Sequence, residues 1–112
     1  MKKIEAFIRP EKFDITKDAL EEQGHTGMSV SQVKGHGSKK GLREVYKVDK
    51  YKVHLLPKIK IELFVTDEAL DKTVQTIISV SQTGSIGDGK IFVSDVSNAY
   101  RVRTGEQGET VI

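Results

Sequence analysis

The chain has 112 residues (12.5 kDa), of which 37% are hydrophobic and 30% charged, and it contains no cysteine. That length suits one domain with a single modest core. Disulfide frameworks and thiolate zinc sites are excluded, and no apolar run reaches membrane-spanning length.

Net charge is only +2, yet Lys34 to Lys60 carries nine basic residues against Glu44 and Asp49, a local +7 that leaves −5 for the rest. Such asymmetry suits either a surface that meets an anionic partner or a merely solvated loop. Met1-Lys2-Lys3 leads straight into a strand-like pattern with no signal-type apolar stretch, so a cytoplasmic protein without membrane insertion is expected.

Lys3 to Arg9 alternates, Ile4, Ala6 and Ile8 against Glu5, Phe7 and Arg9, which predicts a strand. Pro10 is expected to open a helix reaching about Gln23, with Phe13, Thr16, Ala19 and Leu20 as its inner stripe and Gly24 as its stop. A second strand is predicted from Met28 to Lys34. The pattern then breaks from Gly35 to about Leu55, a basic connection too long for a routine loop in a small domain. Lys58 to Val65 alternates cleanly, with Ile59, Ile61, Leu63 and Val65 inward and Lys58, Lys60, Glu62 and Phe64 outward.

Thr66-Asp67 reads as an N-cap for a helix carrying Leu70, Val74, Ile77 and Ile78 up to about Gln82. A strand over Lys90–Ser94, a short strand near Tyr100–Arg103 and a flexible tail of about 104–112 complete the chain. The order β-α-β-β-α-β predicts an α+β, ferredoxin-like sandwich with both helices on one face of the sheet. Phe7 and Phe64 would lie on the other face, which predicts that a second subunit covers it.

Between the second helix and the strand after it lies Thr83-Gly84-Ser85-Ile86-Gly87-Asp88-Gly89-Lys90, with three glycines in six positions. Glycine permits positive φ and close backbone approach. Successive N–H groups can then form an anion site, and Lys90 adds a point charge. The same spacing also suits an ordinary helix-to-strand turn. Asp88 is placed to brace the turn with its own side chain. Arg101 and Arg103, two apart on the predicted strand, would project from one side as paired phosphate ligands, or pair with Asp95 or Glu106.

No catalytic constellation emerges. His25, His36 and His54 share no spacing, and no residue set suggests a metal site. Nucleic acid is not an expected partner, because RNA readout on this topology needs several aromatics and Lys58–Val65 carries only Phe64.

These residues together resemble the nitrogen-regulatory PII signalling family over the whole chain. The resemblance rests on Lys2-Lys3-Ile4-Glu5-Ala6 with Arg9-Pro10, on Leu56-Pro57-Lys58-Ile59-Lys60-Ile61-Glu62, and on Thr83 to Val93 with Arg101-Val102-Arg103-Thr104-Gly105-Glu106. It implies one PII-like domain over residues 1–112, a homotrimer, and competitive binding of ATP or ADP in clefts between subunits. It implies further that Gly87, Asp88, Gly89 and Lys90 cradle phosphates, reached from the facing side by the stretch Arg101, Val102 and Arg103. Ser29 and Phe64 would line the base, with Glu62 near the nucleoside. Gly35, Gly37 and Ser38 would root a long effector loop of about 37–55 that docks on an ammonium channel, another transporter or a metabolic enzyme. Membrane association would then come only through a transporter.

Two departures bear on function. The family commonly has glutamine at the position of Lys39, where a carbonyl oxygen helps hold magnesium chelated by 2-oxoglutarate and ATP. A protonated lysine has no lone pair and repels a divalent cation, so 2-oxoglutarate sensing is expected to be weakened or absent, with Lys39 contacting phosphates instead. Lys58, which would pair with the 2-oxoglutarate carboxylate, is retained. Tyr51 matches the family's uridylylated tyrosine, but Val48 and Lys50 stand where glycine and an acidic residue are usual, which argues against modification there. Lys47 replaces the arginine of the partner-contacting loop tip. The expected activity is non-enzymatic regulation; the alternative is slow ATP hydrolysis in the same cleft.

Overall fold

Alternation of apolar and polar residues organises the sheet. The computed structural model describes residues 1–35 and 56–112. In chain order it has β1 (Lys2–Ile8), a 3-10 turn (Pro10–Lys12), α1 (Phe13–Glu22), β2 (Met28–Gly35), β3 (Leu56–Val65), α2 (Leu70–Ser81) and β4 (Gly89–Asp95), with a 3-10 turn (Glu109–Val111) near the end. The strands form one antiparallel sheet in the order β2-β3-β1-β4, the expected ferredoxin-like α+β topology.

The inward residues of the two central strands make the core: Ile4, Ala6 and Ile8 from β1, and Ile59, Ile61, Leu63 and Val65 from β3, joined by Leu20 of α1 and Ile77 of α2. Each large side chain fully buried contributes about 1.5–3 kcal/mol, so the four β3 residues supply about 6–12 kcal/mol and make β3 the spine of the fold. Val30 faces the same side from edge strand β2, opposite Ile61, yet remains 44% exposed.

The seam between the helices is polar. Thr16 Oγ1 lies 2.7 Å from Ser81 Oγ and donates to the Lys12 carbonyl at 2.7 Å. Thr73 Oγ1 donates to the Ala69 carbonyl and meets His25 Nε2 at 3.0 Å. Burial holds the His25 imidazole below its ordinary pKa. Gly24, at φ +95, ends α1 as expected: its N–H reaches the Glu21 carbonyl while His25 N–H reaches Leu20, satisfying two carbonyls of the last turn.

Three expectations need correction. Pro10 opens a 3-10 turn rather than α1 itself, which starts at Phe13. Asp67 does not cap α2, because its carboxylate binds the Met1 ammonium at 2.9 Å; the N-cap is Ala69, whose N–H reaches Thr66 Oγ1. Tyr100–Arg103 is no strand: Tyr100 makes a lone bridge to Gln107, and the chain folds back through Arg101 N–H to Glu106 O and Gly105 N–H to Arg101 O, both 2.7 Å. Thr104-Gly105 closes this turn, with Gly105 at φ +75, so the alternating Arg-Val-Arg pattern does not propagate. The segment from 104 to 112 carries that turn, the bridge and the 3-10 turn.

The outer sheet face has a charged centre. Glu5 stands directly opposite Glu62, a repulsive placement. Lys3 approaches the two carboxylates at 3.5 and 3.6 Å and Lys60 at 3.2 and 3.8 Å, forming an alternating square. The Lys60 hydrogen bond, outweighing partial burial and aided by Lys3, holds Glu5 below the ordinary carboxylate range. Phe7 and Phe92 meet edge to face at 5.9 Å on one side of this square, while Phe64, 41% exposed, lies on the other.

Candidate functional site

A cleft of about 600 Å³ opens at the end of the sheet where β1 finishes and β4 begins. Its walls come from the glycine turn (Ser85 to Lys90), from Phe7 and Phe92, and from the β2 and β3 ends that flank residues 36–55, including Gly35, Leu56 and Lys58. The root of the expected effector loop and the expected phosphate turn therefore share one cavity.

Hydrogen bonds set the turn's shape. Asp88 Oδ2 accepts from the N–H groups of Thr83 (2.7 Å) and Gly84 (2.9 Å), while Oδ1 accepts from the Thr83 hydroxyl and from Arg9 Nε at 2.9 Å. Burial alone would raise the Asp88 pKa, but these donors outweigh it and hold the carboxyl well below its usual range. Asp88 is thus the brace expected from its position between glycines. Arg9 Nη2 also donates to the Ile86 carbonyl at 2.8 Å, and Lys58 Nζ donates to the Gly87 carbonyl. Burial, then repulsion from Arg9, lowers the Lys58 pKa against the opposing pull of Asp88 and Glu11.

Two consequences follow for anion binding. All peptide bonds here are trans, so each N–H points opposite to the carbonyl of the same peptide. Drawing the Ile86 and Gly87 carbonyls toward Arg9 and Lys58 therefore turns the N–H groups of Gly87 and Asp88 the other way. Glycine is required sterically at Gly89, and by its left-handed backbone at Gly87. A Cβ on Gly89 (φ +105) would fall 1.7 Å from the Phe7 carbonyl oxygen, and one on Gly87 (φ +101) would lie 3.3 Å from Arg9 Nη2.

The predicted residues divide into two groups. Gly35, Lys58, Gly87, Asp88, Gly89 and Lys90 line the cleft together. Ser29, Glu62 and Phe64 do not: Phe64 is six residues along β3 from Lys58, about 20 Å at the usual rise per residue. Ser29 pairs with Glu62, whose carboxylate belongs to the charged square. Arg101, Val102 and Arg103 follow the far end of β4, beyond Asp95, which pairs with Lys2. Arg101 binds Glu106 at 3.2 Å, one of the two acids expected for it, and Val102 is fully exposed at the turn. Gly37, Ser38, Lys39, Lys47 and Tyr51 lie outside the described residues.

Arg9 is the site residue that sequence reasoning missed as such. The available signal was the alternation that puts it on the outer face with Phe7, next to a proline. Among the described residues no His/Cys/Asp/Glu cluster could hold a metal ion, and no helix is long and apolar enough to cross a membrane.

Comparison with known proteins adds an independent line. The family model "Nitrogen regulatory protein P-II" matches residues 1–106. Over all 112 residues, and over the full length of each relative, the chain is 54% identical to nitrogen regulatory protein P-II of Klebsiella oxytoca and 53% identical to nitrogen regulatory protein P-II 1 of Escherichia coli K12. It is 50% identical to nitrogen regulatory protein P-II of Pasteurella multocida, again over both full lengths.

Proposed function

The chain belongs to the nitrogen regulatory protein P-II family, and on that premise we propose that it is an adenylate-responsive trimeric regulator without enzymatic activity. ATP or ADP binds where two protomers meet. The observation that carries this reading is the division of the predicted ligands: one set lines the cleft at the Gly87–Lys90 end, while Ser29, Glu62 and Phe64 lie further along β2 and β3, and Arg101 and Arg103 follow the far end of β4. One protomer would have to span about 13–20 Å of sheet from Lys58 to reach Glu62 and Phe64, whereas neighbouring copies can juxtapose the two sets. The open outer face, with its charged square and exposed Phe64, supplies a surface for such contact.

Lys90 and the turn's N–H groups take the phosphates, joined by Arg101 and Arg103 of the adjacent copy. Gly35 and Leu56 line the same cleft, so nucleotide contacts can shift the conformational populations of residues 36–55 and through them the affinity for an ammonium channel, another transporter or an enzyme in the cytoplasm. Lys39 in place of glutamine weakens magnesium-dependent 2-oxoglutarate binding, and Lys39→Gln restores it. Tyr51 is not uridylylated, and Lys47 contacts the partner through charge alone.

Light scattering with titration calorimetry tests the core of this reading. A trimer that binds ATP and ADP competitively is expected; a monomer indifferent to both overturns it. Calorimetry with Mg-ATP and 2-oxoglutarate tests the Lys39 reading, which tight ATP-dependent 2-oxoglutarate binding would refute. Sustained ATP turnover would favour the hydrolytic alternative.

A further inference from the structure

We propose that Arg9 is a positioning residue for the glycine turn, holding the phosphate-facing backbone in shape and cancelling the charge of Asp88 beside it. This rests on the nucleotide-binding reading above. Pro10 disfavours helical backbone at the preceding residue, and Arg9 is accordingly extended at φ −64, ψ 139. The alternation of β1 therefore continues one residue past its end and carries the Arg9 side chain to the outer face, after Lys3, Glu5 and Phe7. Because Ile8 pairs with Gly89, the next residue on each strand brings Arg9 to Asp88.

The guanidinium spreads its fork over several groups, with Nε on the Asp88 carboxylate at 2.9 Å, Nη2 on the Ile86 carbonyl at 2.8 Å and Nη1 3.9 Å from the Glu11 carboxylate. Its side chain is only 12% exposed, and a Cβ on Gly87 would lie 3.3 Å from its Nη2. A lysine carries its three donors on a single nitrogen and lacks the planar fork that serves the two contacts from separate nitrogens. The charge matters as much as the shape. An uncompensated Asp88 carboxylate beside an anion site would repel the phosphate, and Arg9 neutralises it at contact distance. Arg9 thus acts through Asp88 and Ile86, whereas Lys90 carries its charge to the ligand directly.

The test combines ATP calorimetry with amide hydrogen exchange on the trimer for wild type, Arg9→Gln, Arg9→Lys, Asp88→Asn and the Arg9→Gln/Asp88→Asn double variant. Arg9→Gln is expected to weaken ATP about tenfold, with faster exchange over Thr83–Asp88 and unchanged protection in β1 and β3. Arg9→Lys should fall between Arg9→Gln and wild type. In the Asp88→Asn background the Arg9→Gln effect should shrink to about threefold or less, since the two groups act as a unit. Additive losses would mean that Arg9 grips the phosphate itself and would overturn the assignment. So would wild-type affinity in Arg9→Gln, or exchange rising equally through the core strands. Failure of the wild type to bind ATP would instead refute the nucleotide reading on which the inference stands.

Discussion

Replacing Gly89 by alanine offers a sharp check on how the turn joins the sheet. Gly89 sits at φ +105, and a Cβ there would fall 1.7 Å from the Phe7 carbonyl oxygen and 2.8 Å from its carbon. Positive φ costs a non-glycine residue about 1–2 kcal/mol. The clash is with backbone, so no rotamer relieves it. β4 must pull away from β1 at the Ile8–Gly89 pair, losing one or two hydrogen bonds worth about 0.5–1.5 kcal/mol each. The total is about 1.5–5 kcal/mol.

Gly84 is the control: its φ is +88, but a Cβ there meets nothing within 4 Å, so Gly84→Ala should cost about 1 kcal/mol. Urea unfolding at one fixed protomer concentration measures both. With a slope of about 2 kcal/mol per molar, the midpoint should drop by about 0.8–2.5 M for Gly89→Ala and about 0.5 M for Gly84→Ala. Equal shifts in the two variants would refute the argument that close backbone approach, rather than φ alone, makes Gly89 obligatory.

Three further outcomes are expected. Because burial depresses the folded pKa of His25 below its ordinary 6.5, its contribution to stability is present above that value and is lost as pH falls from about 6.5 toward the folded pKa; His25→Gln should flatten this part of a stability-against-pH profile. Ser81→Ala removes the partner of Thr16 Oγ1 in the helix seam and should cost about 1 kcal/mol, whereas Thr16→Val, which also strands the buried Ser81 hydroxyl, should cost about 1–3 kcal/mol by chemical denaturation. Ile61→Ala removes a fully buried residue at the centre of β3 and should cost about 2–5 kcal/mol, read in the same way.

Local signals read the scaffold correctly where one periodicity dominated. The period-two pattern of Lys58–Val65 placed Ile59, Ile61, Leu63 and Val65 in the core, and helical spacing found the inner residues Thr16, Leu20 and Ile77. The errors came where two local rules competed. Thr66-Asp67 looks like a cap, but the Met1 ammonium, distant in sequence, claims the Asp67 carboxylate. Arg101-Val102-Arg103 looks like a strand, but strands need a partner, and the Thr104-Gly105 turn folds this segment onto Glu106 instead. The polar helix seam was equally hidden, since Thr73 and Ser81 read as surface residues until α1 and α2 are packed together.

From residue order alone came the α+β class, the strand faces, the glycine turn with Asp88 as its brace, and the family resemblance that the full-length relatives bear out. These depend on alternation, on glycine conformational freedom and on side chains bonding to their own neighbours, all of which act within a few residues. The tertiary structure alone decided that Arg9 and Lys58, 79 and 29 residues from their partners in the turn, hold it from the end of β1 and from β3, and that Glu62 and Phe64 stand about 13 and 20 Å along β3 from Lys58. Antiparallel register is what makes the difference: pairing Ile8 with Gly89 brings distant residues together, and running β3 the full length of the sheet keeps Lys58 and Phe64 apart.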